Sequence, residues 1–262
     1  MQTIYPRAVF RDAPSAMRLA GVFALLFVFY QLPEGLGMRT LQSIPATLVL
    51  WLLFMLVAWQ CGRTLGFRGF DAWYMTRPRW TLLLGACFGL AVLAKALALG
   101  AGSALGVYQL KIGHDLSQQA WVDAALIAIG YTVLPSIAED IVTRGFLMRA
   151  LPALGRRPLF IVASALLYVL NHIYRLANGP LEWLMLFCFG LAYAAALYYS
   201  GSLWAAIGLH WGWNFAGKFA DQVATIDATP GQGPLVSSAA HLILLGVLAM
   251  CARQLRGKHA RV

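Results

Sequence analysis

The sequence predicts an all-α, polytopic membrane protein, and three observations carry that prediction. Of its 262 residues, 60% are apolar and only 11% charged, with a mean hydropathy of +0.69, a balance foreign to soluble domains. Apolar windows about 20 residues long, enough to cross ~30 Å of hydrocarbon, recur along the whole chain. The cations gather in alternate connections between those windows.

Taken in order, the windows fall near 15–33, 43–61, 81–105, 120–150, 158–175, 181–200, 202–220 and 234–252, giving about eight transmembrane helices. Arg7, Arg11 and Arg18 precede the first, but no small-residue cleavage site clearly follows, so it reads as a retained span rather than a signal peptide. The fourth is overlong and contains Pro135, where a missing backbone donor predicts a kink or an interruption. No low-complexity tract, long linker or convincing internal repeat divides the series, so residues 1–262 read as one helical membrane domain. The most elaborate connections are CGRTLGFRGFDAWYMTRPRW (61–80) and DATPGQGP (227–234), the latter an extracytoplasmic turn. Gly85 and Gly89, like Gly208 and Gly212, have the GxxxG spacing that allows close helix packing.

A formal charge of +10 raises the question of nucleic acid, but the placement of the cations answers it differently. Arg7, Arg11 and Arg18 precede span 1, and Arg63, Arg68, Arg77 and Arg79 separate spans 2 and 3. Arg149, Arg156 and Arg157 separate spans 4 and 5, and Arg253, Arg256, Lys258 and Arg261 form the tail. The alternate loops hold only Arg39, Lys111, Arg175 and Lys218. By the positive-inside rule both termini face the cytoplasm, and the basic loops suit the lipid bilayer's anionic headgroups rather than nucleic acid. Cys61, Cys87, Cys188 and Cys251 are widely spaced and lie in or beside the spans, which reads as buried small hydrophobes rather than a disulfide or a metal site.

Polar residues inside spans are functional candidates, since each costs several kcal/mol, on the order of 3, unless partnered. SIAEDIVTRGF supplies Glu139, Asp140 and Arg144; LLYVLNHIYR supplies Tyr168, Asn171 and His172; AAIGLHWGWNF supplies His210 and Asn214; the last span holds His241. The pairs Asp140/Arg144, Tyr168/His172 and His210/Asn214 are each four apart, so each pair shares one helix face. Counting about 1.5 Å per residue from Arg149, Arg157 and Ser202 places Glu139 ~15 Å, His172 ~22 Å and His210 ~12 Å into the membrane. Three helices thus present acid, imidazole and amide at similar depth.

That set suits hydrolysis. Glu139 is positioned to take a proton from water, His172 to hold that water and shuttle the proton, and His210 with Asn214 to donate to an oxyanion. Asp140 points about 100° away from Glu139 around the helix and reads as the partner of Arg144, holding the helix in the bundle. Each residue also has a plainer reading. Glu139 could bond another helix, the histidines could be packed polar core, Asn214 could bridge helices, and His241 reads as a structural or cavity residue. The aromatics at 198, 199, 204, 211 and 213 read as core and interface anchors.

The order E-(E/D)-x-x-x-R-G, aromatic-x-x-x-H, H-x-x-x-N on successive helices resembles the CPBP intramembrane proteases, which include the type II CAAX prenyl endopeptidases and bacteriocin-processing or self-immunity proteins. Here the motifs read Glu139-Asp140-Ile141-Val142-Thr143-Arg144-Gly145, Tyr168-Val169-Leu170-Asn171-His172 and His210-Trp211-Gly212-Trp213-Asn214. The resemblance covers about residues 120–220. It implies an eight-helix fold with a polar intramembrane cavity and hydrolysis of a membrane-tethered peptide or protein. Glu139 and His172 would activate water, and His210 and Asn214 would form the oxyanion pair. It implies no required cofactor in a glutamic-type mechanism, while zinc held by Glu139, His172 and His210 stays open as the alternative; HExxH is absent. Asp140 where many members have Glu, Thr143 where an aromatic is common, and Tyr168 in place of Phe point to a divergent branch, which weakens the case for a prenylated substrate. A proton-coupled transporter and a non-catalytic immunity-type member are the competing functions. A bacterial inner membrane is the expected location.

Overall fold

The computed structural model describes residues 14–75, 79–113 and 117–259, the side chains of 255–259 excepted. Arg7, Arg11, Arg77 and Arg261, and the side chains of Arg256 and Lys258, lie outside the described residues.

All eight apolar windows are helical. In chain order the helices are α1 (Ala16–Leu32), α2 (Ile44–Thr64), α3 (Trp80–Ala104), α4 (Gln118–Asp140), α5 (Phe146–Ala150), α6 (Pro152–Gly155), α7 (Leu159–Asn171), α8 (Pro180–Ser200), α9 (Leu203–Val223) and α10 (Gln232–His259). Among the described residues, 6 helical segments are long and apolar enough to cross a membrane. Of the other two windows, α7 is short at 13 residues, and α9 is diluted by His210, Asn214, Lys218 and Asp221. Serine side chains start several helices: the hydroxyls of Ser15, Ser43 and Ser117 accept from the amides of Arg18, Ala46 and Ala120 at 3.2, 3.3 and 3.1 Å.

Leu56, Leu82 and Leu97 are 60%, 65% and 63% exposed, a surface suited to lipid and costly in water. Inside, α8 carries Ala192, Ala194, Ala195 and Ala196, all buried, and such small residues let neighbouring backbones close in. The glycine pairs behave differently from one another. A Cβ at Gly208 would lie 2.6 Å from the Leu84 carbonyl oxygen, and one at Gly212 2.5 Å from that of Phe88, so α9 presses directly onto α3. Gly85 and Gly89 have open space beside them and contribute nothing to that contact.

The break in the fourth span is displaced from its expected place. Pro135 sits inside a continuous α4, and the helix widens instead into a π-helical stretch, Ile141–Gly145, immediately after Asp140. Thr143 donates its hydroxyl to the Glu139 carbonyl at 2.7 Å, and Ser164 of α7 donates to the Thr143 carbonyl at 3.0 Å. Those side chains satisfy backbone groups that a widened turn disturbs.

Two ends of the bundle can be told apart. Arg18 bonds the Thr64 carbonyl, Arg149 donates to the carbonyl of Ala72 at 2.7 Å, and the Leu203 amide donates to that of Tyr74 at 2.9 Å. The basic connections therefore gather at one end. There the turn Gly69–Trp73 drives Trp73 fully into the core, its indole donating to the Ala58 carbonyl at 3.0 Å. Burial pushes the Tyr74 phenol above its ordinary value. At the other end, strands β1 (Tyr108–Ile112) and β2 (Ala224–Ala228) pair antiparallel, Leu110 opposite Ile226. The stretch read as a simple turn is thus partly strand, because two connections emerging side by side can satisfy each other's backbone groups. Cys61 and Cys188 are buried as expected, whereas Cys251 is exposed on the outer face of α10.

Candidate active site

Glu139 is the last residue but one of α4, just ahead of the π-helical stretch, and it is 5% exposed. Its Oε1 stands 3.2 Å from Nε2 of His172 and its Oε2 3.4 Å from Nε2 of His210. The two imidazoles thus face the two oxygens of one carboxylate. Three helices that are separate in sequence meet at this point.

His172 reaches it in a way helical spacing did not foresee. It is the residue that ends α7, with φ −87 and ψ 54, outside helical geometry. Its Nδ1 still lies 2.8 Å from the Tyr168 carbonyl. A carbonyl only accepts, so Nδ1 carries a hydrogen and Nε2 is the ring atom that faces Glu139. The end of α7 is itself held: Gln31 of α1 donates to the Asn171 carbonyl at 2.9 Å, capping a carbonyl that the helix leaves free.

Asp140 forms the expected buried ion pair with Arg144, but it has a second partner. Its Oδ1 lies 3.1 Å from Nδ1 of His210. The 100° step between Glu139 and Asp140 is spanned by one imidazole ring, which meets one acid at each nitrogen. Asp140 is therefore part of the site as well as its scaffold. Arg144, fully buried, lies between the rings of Tyr168 and Tyr193, with Cζ 4.6 and 5.1 Å from their centroids. Those faces compensate a guanidinium whose Nε and Nη2 have no hydrogen-bond partner among the described residues.

Asn214 stands on the same side of α9 as His210, facing α4, and donates to the Ser136 hydroxyl at 3.3 Å. Ser136 precedes Glu139 by three residues, so the amide lies one turn along α4 from the carboxylate.

Three participants, Tyr30, Gln31 and Tyr193, were missed in the sequence. Tyr30 of α1 has its hydroxyl placed to donate to the Glu139 carboxylate, and Gln31 follows it. The polar pair at the end of an apolar window was the available signal. Tyr193 of α8 stacks on His210, with centroids 4.8 Å apart and planes at 21°, and its hydroxyl meets Nε2 of His241 at 3.0 Å. No spacing rule links those residues.

Acid, two imidazoles and an amide gather in a helical bundle with a lipid-suited surface, an arrangement whose chemistry suits hydrolysis within a membrane. Residues 121–216 match the family described as Type II CAAX prenyl endopeptidase Rce1-like. The matched segment holds Glu139, Asp140, Arg144, His172, His210 and Asn214, so the likeness to that family lies in the motif-bearing core. No curated protein matches the chain.

Proposed function

We propose that the protein is an intramembrane endopeptidase in which Glu139 and His172 activate a water that attacks a peptide carbonyl, while His210 and Asn214 stabilise the resulting oxyanion. The observation that carries this reading is the pair of contacts from one buried carboxylate to two imidazoles, 3.2 and 3.4 Å. A water held between Glu139 and His172 gives its proton to the carboxylate as its oxygen bonds the carbonyl carbon. The carboxyl group then returns that proton to the leaving amine as the C–N bond breaks. For Nε2 of His210 to donate to the oxyanion while Nδ1 donates to Asp140, the ring must carry a proton on each nitrogen, and the Asp140 carboxylate balances that charge. Asn214 supplies the second donor once its amide turns from Ser136.

The scheme routes no step through a metal. Among the described residues no group of three His, Cys, Asp or Glu side chains is arranged to hold one. The substrate is a membrane-associated protein or peptide, and a prenylated C-terminal peptide is the first to try because the matched family is named for that substrate. The membrane is a bacterial inner membrane with both termini and the basic loops on the cytoplasmic side, a reading supported by the meeting of Arg18, the 61–80 connection and Arg149 at one end of the bundle.

The test is cleavage of prenylated and unmodified membrane peptides by the purified protein beside Glu139→Gln and His172→Ala. Loss of cleavage in both variants with folding intact supports the mechanism. Cleavage at the wild-type rate in both would falsify it.

A further inference from the structure

We propose that Tyr193 and His241 act as a positioning pair for His210: the phenol, anchored on His241, holds the Tyr193 ring as the platform that sets the plane of the His210 imidazole. The kinetic part of this proposal rests on the peptidase reading above.

His241 lies on α10, outside every motif, and is fully buried. Its Nδ1 is 2.9 Å from the Ser237 carbonyl one turn earlier. That carbonyl accepts, so Nδ1 carries the hydrogen and Nε2 is left as an acceptor. The Tyr193 hydroxyl, 3.0 Å away, is then the donor. The direction of the bond is thus fixed at both ends.

The imidazole of His241 has little freedom to turn. Phe189 stacks on it at 3.6 Å and Trp213 meets it edge-on at 4.3 Å. A phenol tied to so constrained an acceptor cannot rotate or slide without breaking the bond. Its ring, fully buried, stacks on His210 at 4.8 Å with planes at 21°, while Tyr168 meets the same ring of Tyr193 edge-on at 6.1 Å. His210 must present Nδ1 to Asp140 and Nε2 to Glu139 at once, and only one ring plane serves both. A stacked face restrains that plane where in-plane hydrogen bonds alone allow rocking. A purely apolar residue at 241 would fill the same space without fixing the phenol.

Two conservative variants isolate the anchor. Tyr193→Phe keeps the platform but removes the hydroxyl; His241→Phe keeps an aromatic against Phe189 but removes the acceptor. Each is expected to lower kcat about tenfold with KM unchanged, the size of one lost hydrogen bond expressed at the reacting centre. The double variant is expected to be no slower than either single one, because both remove the same bond. His241→Gln, which restores an acceptor, is expected to recover part of the rate. An activity-independent reading comes from 15N-histidine-labelled protein in detergent: His210 ring resonances should shift or broaden in Tyr193→Phe. Unchanged His210 resonances, or rate losses that multiply in the double variant, overturn the proposal. If wild type and Glu139→Gln are equally inert, the peptidase reading falls and the resonances alone decide this one.

Discussion

The imidazole of His210 bonds the carboxylate of Asp140 at 3.1 Å although the two residues stand 70 positions apart. That contact changes what the second acid of the motif does. Asp140 holds Arg144 on one side and orients an imidazole on the other, so Arg144, Asp140, His210 and Glu139 form one continuous line of polar contacts.

Asp140→Ala removes the partner of a fully buried guanidinium. The expected loss is about 3–5 kcal/mol of stability, as for other buried pairs broken from one side, read as a lowered melting temperature in detergent. Asp140→Asn keeps an acceptor but not the charge. It should fold better than the alanine variant and still cleave slowly, because His210 loses the carboxylate that balances its second proton.

Tyr30→Phe deletes the hydroxyl aimed at Glu139 and keeps the ring packed on Trp51 and Phe54 at 5.7 and 6.2 Å. Folding should be unaffected. The cleavage rate should fall roughly tenfold, the effect of one hydrogen bond to a charged group. A wild-type rate would remove Tyr30 from the site.

Gly212→Leu forces a side chain into the Phe88 backbone of α3. Overpacking there should cost about 1–3 kcal/mol or more and pull His210 and Asn214 out of register with α4, so melting temperature and cleavage should fall together. The same change at Gly89, on α3 but facing open space, should leave both unaltered, a control outside the helix interface.

Chelation of divalent metals is the direct check on the water-activation scheme. Cleavage by the glutamic route should survive prolonged treatment with a strong chelator. Inhibition that zinc restores would transfer the role of Glu139, His172 and His210 to metal ligation.

Much of this was legible along the chain. Apolar length and the sorting of arginines announced a helical membrane protein, because a bilayer imposes span length and charge asymmetry on any sequence. Glu139, Asp140, Arg144, His172, His210 and Asn214 stood out because ionisable and amide groups are expensive in hydrocarbon and so are kept sparingly. The place where the fourth span widens was not legible. Pro135 drew attention, yet the π-helical stretch formed at Ile141–Gly145, where side chains of Thr143 and Ser164 were at hand to satisfy the disturbed backbone.

The sequence by itself determined which groups are too costly to be accidental, since that follows from composition against a lipid solvent. Only the tertiary structure decided their pairing. It set His210 across two adjacent acids, ended α7 at His172 under the cap of Gln31, and brought Tyr30, Tyr193 and His241 in from α1, α8 and α10. Those relations depend on how rods pack and rotate against one another, and helical periodicity describes each rod alone.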